Sequence, residues 1–166
     1  MDMAVTVPCG QCIGCRLEKS RQWAIRISHE ASLYDDNCFL TLTYNNDNLP
    51  EHGSLVKKHF TLFIKRLRKK YPEKKIRYFM CGEYGDQLGR PHYHAILFNH
   101  DFKDKEYHSG TQIGNVLYRS KELEDLWSIS KQEDSKRAGQ SRGFCTIGEV
   151  TFESAGSDRD WETPYL

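Results

Sequence analysis

Gly82-Glu83-Tyr84-Gly85-Asp86-Gln87-Leu88-Gly89-Arg90-Pro91-His92-Tyr93-His94-Ala95-Ile96-Leu97-Phe98 is the stretch on which the reading of this chain turns. Residues 76–84 and 92–98 read as strands, and the segment between them carries Gly85, Asp86, Gly89 and Pro91, residue types that favour turns. Side chains two apart on a strand share a face, so His92 and His94 point the same way. If the segment closes an antiparallel hairpin with Tyr84 opposite Pro91, Glu83 lies opposite His92 and Cys81 opposite His94. Directly opposed residues stand on one face a few ångströms apart. Two imidazoles and a carboxylate then converge, a donor set for one divalent cation with positions left open for a substrate oxygen. The plainer alternative is two surface histidines on a half-exposed strand. The opposed Glu83 and the apolar run after His94 favour the metal, with Cys81 beside it but not required.

Outward from the hairpin, residues 57–71 form the clearest helix, with Phe60, Phe63, Ile64, Leu67 and Tyr71 at the spacing of one buried face and Pro72 as the stop. Residues 37–44 are rich in strand-favouring types, and residues 16–34 read as a helix with Leu17, Ala24, Ile27, Ala31 and Tyr34 on one stripe. Ser120 is placed to cap a short helix carrying Leu123, Leu126 and Trp127, residues 143–152 form a last strand, and residues 99–119 carry no clear pattern. The order predicts an α+β fold, an antiparallel sheet with helices packed mainly on one face.

With 166 residues the chain is sized for one domain, and it has no run of about eighteen apolar residues that would span a membrane. Residues 1–8 lack the pattern of a secretory signal, so a cytoplasmic setting is expected, with the six cysteines as thiols or metal ligands rather than disulfides. Net charge is only +1, but residues 57–75 hold nine Lys/Arg against one acid. Lys65, Arg66, Arg68, Lys69 and Lys70 lie off the apolar face, a local footprint for phosphate if not simply a solvated face, and Arg90 stands beside the histidines. Cys9, Cys12 and Cys15 bring three thiols into one short turn. Zinc needs four ligands at a structural site, with Cys38, Cys81, Cys145 or His29 as candidates for the fourth. Free thiols are the other reading, and the remainder of an iron–sulfur ferredoxin pattern is missing.

The segment Gly82–Gly85 followed by Gly89–Phe98 resembles the HUH motif of rolling-circle replication initiators, and Phe39-Leu40-Thr41-Leu42-Thr43-Tyr44 resembles the strand motif that precedes it. The start Cys9-Gly10-Gln11-Cys12-Ile13-Gly14-Cys15 and the segment Arg21-Gln22-Trp23-Ala24-Ile25-Arg26 are similar to those of the initiators of gokushovirus-like single-stranded DNA phages, the Microviridae. The resemblance runs from about Val7 to Gly156. It implies an HUH endonuclease domain with an RRM/ferredoxin-like palm over residues 1–156, and a divalent metal, Mg²⁺ or Mn²⁺, on Glu83, His92 and His94. It also implies nicking and joining of single-stranded DNA at a phage origin through a phosphotyrosine, and host helicase or polymerase as further partners. Residues 157–166 depart from the pattern, because the tyrosine-bearing helix of the family is not recognisable there. Tyr165 is the tail's only tyrosine and a weak nucleophile candidate. Two other functions therefore stand beside the nickase: a metal- and single-strand-binding fragment that cannot cut, and a small zinc-stabilised adaptor.

Overall fold

The computed structural model describes residues 7–110 and 115–150. Helix α1 spans Ile13–Ala31, strand β1 Asn37–Leu42, helix α2 Lys57–Lys70, β2 Arg77–Tyr84, β3 Pro91–Phe98, β4 Glu106–Gly110, β5 Val116–Arg119, helix α3 Lys121–Leu126 and β6 Cys145–Gly148. The six strands form one sheet in the order β2-β3-β1-β6-β5-β4, with antiparallel pairing throughout. The fold is α+β, as expected from the sequence. No helix among the described residues is long and apolar enough to cross a membrane.

Parity along the strands sorts the side chains into two cores. Leu40 and Leu42 of β1 and Tyr93, Ala95 and Leu97 of β3 face α2, where Phe60, Phe63, Ile64 and Leu67 meet them together with Leu123, Leu126 and Trp127. The alternate residues Ile96 and Phe98 face Ile27 of α1, with Phe39 and Phe79 packed alongside. Helices α2 and α3 thus share the face that holds the main core, and α1 covers the other. This explains the unbroken run Ala95-Ile96-Leu97-Phe98: β3 is apolar on both sides because both sides are covered. Leu17, expected on the buried stripe of the first helix, is instead 54% exposed. Only the C-terminal half of α1 lies on the sheet, through Trp23 against Phe79 and Glu30 paired with Arg77.

Ser120 caps α3 as expected, accepting from the Leu123 amide at 3.0 Å. Within the unassigned stretch 99–119, the structure finds the β4–β5 hairpin. Its strands are short, with a register shift between Tyr107 and Ser109, so no clean alternation was available to read.

A buried polar network lies on the α2 side. The Tyr44 hydroxyl and His59 Nδ1 are 2.8 Å apart, His59 Nε2 is 3.4 Å from Glu133, and Arg142 donates to Glu133 at 2.7 Å. Burial, reinforced by Arg142, lowers the His59 pKa to about 4, and burial lowers that of His100 as well. An unfolded histidine takes up its proton near pH 6.5. Between about pH 6.5 and 4 the unfolded chain therefore binds more protons than the folded one, and stability falls as pH falls through that window. Glu133 adds to the loss only below it, since hydrogen bonds from Ser130 and the Arg142 charge overcome burial and depress its pKa. His59→Gln should flatten the fall of the urea midpoint between pH 6.5 and 4. An unchanged slope would place the acid sensitivity elsewhere.

Candidate metal centre

The β2–β3 hairpin pairs Tyr84 with Pro91, Glu83 with His92 and Cys81 with His94, the register anticipated from the sequence. Its turn is closed by Gly85 N–H donating to Arg90 O at 3.0 Å and Gly89 N–H to Gly85 O at 2.7 Å. Gly89 holds φ +58°, a backbone conformation that glycine adopts without a side-chain penalty. Glu83, His92 and His94 consequently stand on one face, the α1 side of the sheet. His92 Nε2 is 3.6 Å and His94 Nε2 3.2 Å from the same oxygen, Glu83 Oε2. One donor atom from each of the three residues lies within 4.8 Å of the others. All three side chains are partly exposed, so a ligand can reach them from solvent.

The far side of each ring is engaged, and this decides what the near side offers. His92 Nδ1 lies 3.1 Å from the Arg90 carbonyl oxygen, which can only accept. Nδ1 must carry the proton, and Nε2 keeps a lone pair facing Glu83. His94 Nδ1 is 3.1 Å from the Thr41 hydroxyl of the neighbouring β1, opposite it in the ladder, and Phe39 stacks on the His94 ring. Thr41 is thus an orienting residue that the hairpin reading could not supply, because it comes from a strand forty residues earlier. Cys81 shares the face, but burial, with the Glu83 charge behind it, raises its thiol to about 12. A neutral thiol is a poor ligand beside two imidazoles and a carboxylate.

Several basic residues differ from their sequence-based expectation. Arg66 directs its guanidinium into the protein, donating to Leu126 O at 2.9 and 2.6 Å and to Ser128 O at 2.9 Å. Arg68 donates to Ile76 O at 3.2 and 2.8 Å and lies over the Tyr78 ring. Arg90 bonds Asn46 Oδ1 and Tyr44 O, tying the hairpin turn to the end of β1. These three guanidinium groups hold loops, because helix ends and strand ends leave carbonyls that a fork of N–H donors can satisfy. Lys65 and Lys69 are exposed, while Lys70 pairs with Glu122 at 3.1 Å. The lysines of α2 also sit over the opposite face of the sheet from Glu83, His92 and His94. Basic residues on the same side come from α1. Lys19 is exposed, Arg26 lies 5.1 Å from the centre of the Trp23 ring, and Arg21 is held by Glu18. Helical periodicity showed these residues as polar but could not say which face of the sheet α1 would cover.

Cys9, Cys12 and Cys15 form a second three-donor cluster before and at the start of α1. The fourth ligands considered for it do not join. Cys38, Cys81 and Cys145 are buried in the sheet, and His29 stands fourteen residues beyond Cys15 on the same helix, about 21 Å away at 1.5 Å per residue. Tyr165 and residues 157–166 lie outside the described residues.

The family of the replication-associated protein ORF2 matches residues 37–157, a span that includes β1, the hairpin and β6. The chain is 38% identical over 155 residues to "Replication-associated protein VP4" of Bdellovibrio phage phiMH2K, covering 89% of this chain and 45% of that protein. It is 36% identical over 169 residues to "Replication-associated protein ORF2" of Spiroplasma virus 4, covering 97% and 49%. It is also 38% identical over 131 residues to "Replication-associated protein ORF4" of Chlamydia phage 1, covering 74% and 32%. The chain therefore spans about half the length, or less, of these relatives. No solved structure matches it. With the matched span reaching from β1 through the paired hairpin to the last strand, the chain belongs to the ORF2 family of phage replication-associated proteins.

Proposed function

We propose that this chain is the metal-bearing nicking domain of an HUH-type initiator, acting on single-stranded DNA at a phage origin inside the host cell. The observation that carries this reading is the convergence of Glu83, His92 and His94 on one face, with both Nε2 atoms turned to the same carboxylate oxygen. The donor set suits Mg²⁺ or Mn²⁺, which would supply Lewis-acid stabilisation of charge developing on a phosphodiester. The chain's own residues do the rest. Arg90 O fixes the His92 tautomer, Thr41 holds the His94 ring, and the open face leaves room for a phosphate. Lys19 and Arg26 of α1 are placed to attract the DNA backbone on that side. Lys65, Lys69 and Lys70 of α2 could hold a strand only after it has passed around the sheet.

The nucleophile is not among the described residues. The family resemblance calls for a tyrosine whose oxygen bonds to the 5′-phosphate while the 3′-oxygen leaves with a proton, and Tyr165 is a weak candidate for it. The alternative of a metal- and DNA-binding piece that does not cut rests on the same divergent tail.

A labelled single-stranded origin oligonucleotide tests the proposal. The chain should bind it more tightly with Mn²⁺ and release it with rising salt. Cleavage should be slow, and replacement of residues 157–166 by a helix with tyrosine in its first turn should yield a covalent adduct. His92→Ala with His94→Ala should abolish that adduct. Equal Mn²⁺-dependent binding and adduct in the double variant would overturn the assignment.

A further inference from the structure

The loop before α1 is held by nothing that the fold itself explains. Ile13 and Leu17 are 78% and 54% exposed, and a Cβ added at Gly10 or Gly14 would meet nothing within 4 Å. The helix begins with Cys12 as its N-cap residue, without a side-chain cap and without an acid in its first turn. Apolar contact and ordinary capping are both missing at this end.

Sulfur is present instead. The Sγ atoms of Cys9, Cys12 and Cys15 lie within 4.8 Å of one another, and Cys9 Sγ is 3.9 Å from Cys15 Sγ. A disulfide would bring two sulfurs to about 2.05 Å. Two thiolates on one zinc ion, each about 2.3 Å from it, stand about 3.8 Å apart at the tetrahedral angle. The observed spacing is that of a tetrahedral edge and is nearly twice that of a bond. Gly10, at φ +76°, turns the chain so that the Cys12 amide donates to Cys9 Sγ at 3.3 Å. Amide donation to sulfur favours the anionic form that a metal requires. Cys15 lies in the first turn of α1, where the free N–H ends of the helix favour negative charge.

We propose that Cys9, Cys12 and Cys15 bind one zinc ion through three thiolates, and that this ion fixes the start of α1. The fourth position is taken by water or by a donor outside the described residues. The site is separate from Glu83, His92 and His94 in place and in chemistry. Soft thiolates select zinc, and the imidazole–carboxylate set accepts a harder cation. Antiparallel to β2, α1 leads from Arg77 past Phe79 towards the end of the sheet that carries Glu83. Fixing its first turns therefore orders the helix on the metal's own side of the sheet.

The test uses the whole chain, purified under reducing conditions and loaded with zinc or Co²⁺. Zinc should be retained at one per chain, and Co²⁺ should give thiolate-to-metal charge-transfer bands with the strong visible absorption of a tetrahedral ion. Cys15→Ser should weaken zinc at least tenfold, and replacing all three cysteines by serine should abolish it. Mn²⁺ binding in the triple variant should persist, which shows that the domain still folds. His92→Ala with His94→Ala should leave zinc content unchanged. Zinc removal should lower hydrogen-exchange protection in the first turns of α1 and leave β2 and β3 as before. Absence of the charge-transfer bands in the unmodified chain would overturn the proposal. So would zinc retained by the triple variant, or iron and acid-labile sulfide in place of zinc.

Discussion

Replacing His94 by alanine is expected to lower the Mn²⁺ affinity of this chain roughly 100-fold or more while leaving it folded. His94 gives one of three protein ligands, and its Nε2 is the closer of the two imidazole nitrogens to Glu83, at 3.2 Å. Losing a direct ligand should exceed the roughly 10- to 100-fold cost that accompanies loss of an outer partner. Thr41→Val serves as that comparison. It removes the hydroxyl 3.1 Å from His94 Nδ1 but preserves shape, so about a tenfold loss is expected. Cys81→Ala should change affinity little, because the thiol is neutral and adds no charge to the site. Titration calorimetry or the electron-spin signal of free Mn²⁺ reads all three variants. Equal affinities in the unmodified chain and His94→Ala would move the metal away from this hairpin. A Thr41→Val loss as large as that of His94→Ala would mean that the hydroxyl itself reaches the ion.

Gly143→Ala should destabilise the domain by about 3 kcal/mol or more, the upper end of the range for forcing atoms into a filled interior. The chain at residues 142–144 pairs with the extension of β1, through Thr43 N–H to Phe144 O and Asn45 N–H to Arg142 O, both at 3.0 Å. A Cβ at Gly143 would stand 2.4 Å from Thr43 O, 2.6 Å from Tyr44 Cα and 2.7 Å from Asn45 N. All three are backbone atoms and cannot rotate aside. Thr43 O also accepts the indole N–H of the fully buried Trp127 at 2.6 Å, so displacing it unsettles the main core. For a chain of this size the midpoint should drop by roughly 6–12 °C. Gly82→Ala is the control, because there the added Cβ would meet the end of the Leu55 side chain at 2.6 Å, which can turn away. Its cost should be smaller, and equal losses would show that backbone rigidity is not what separates the two sites.

The metal triad was legible because its causes are local. A short turn sets the register of a hairpin, and alternation along each strand then places Glu83, His92 and His94 on one face whatever surrounds them. Helix α2 was legible for a similar reason, since Phe60, Phe63, Ile64 and Leu67 repeat at the period of a single buried face. The basic residues of α2 were less so. Periodicity places Arg66 and Arg68 off the apolar stripe, but their reach is long, and the carbonyls of Leu126, Ser128 and Ile76 come from segments whose positions no helical pattern reveals. Their guanidinium groups are therefore bound inside the fold rather than offered to phosphate.

By itself, then, the sequence determined the α+β class, the hairpin and its three donors, the α2 core face and the Ser120 cap, because each depends on residues within a turn or two of one another. Tertiary structure decided which side of the sheet each helix covers. It thereby set α1, rather than α2, on the side of Glu83, His92 and His94. It also brought Thr41 to His94, closed Arg90 onto Tyr44 and Asn46, and pressed the Gly143 backbone against that of Thr43 and Tyr44. Each of these contacts joins segments distant along the chain, so it depends on how whole faces pack together, and local periodicity carries no record of that choice.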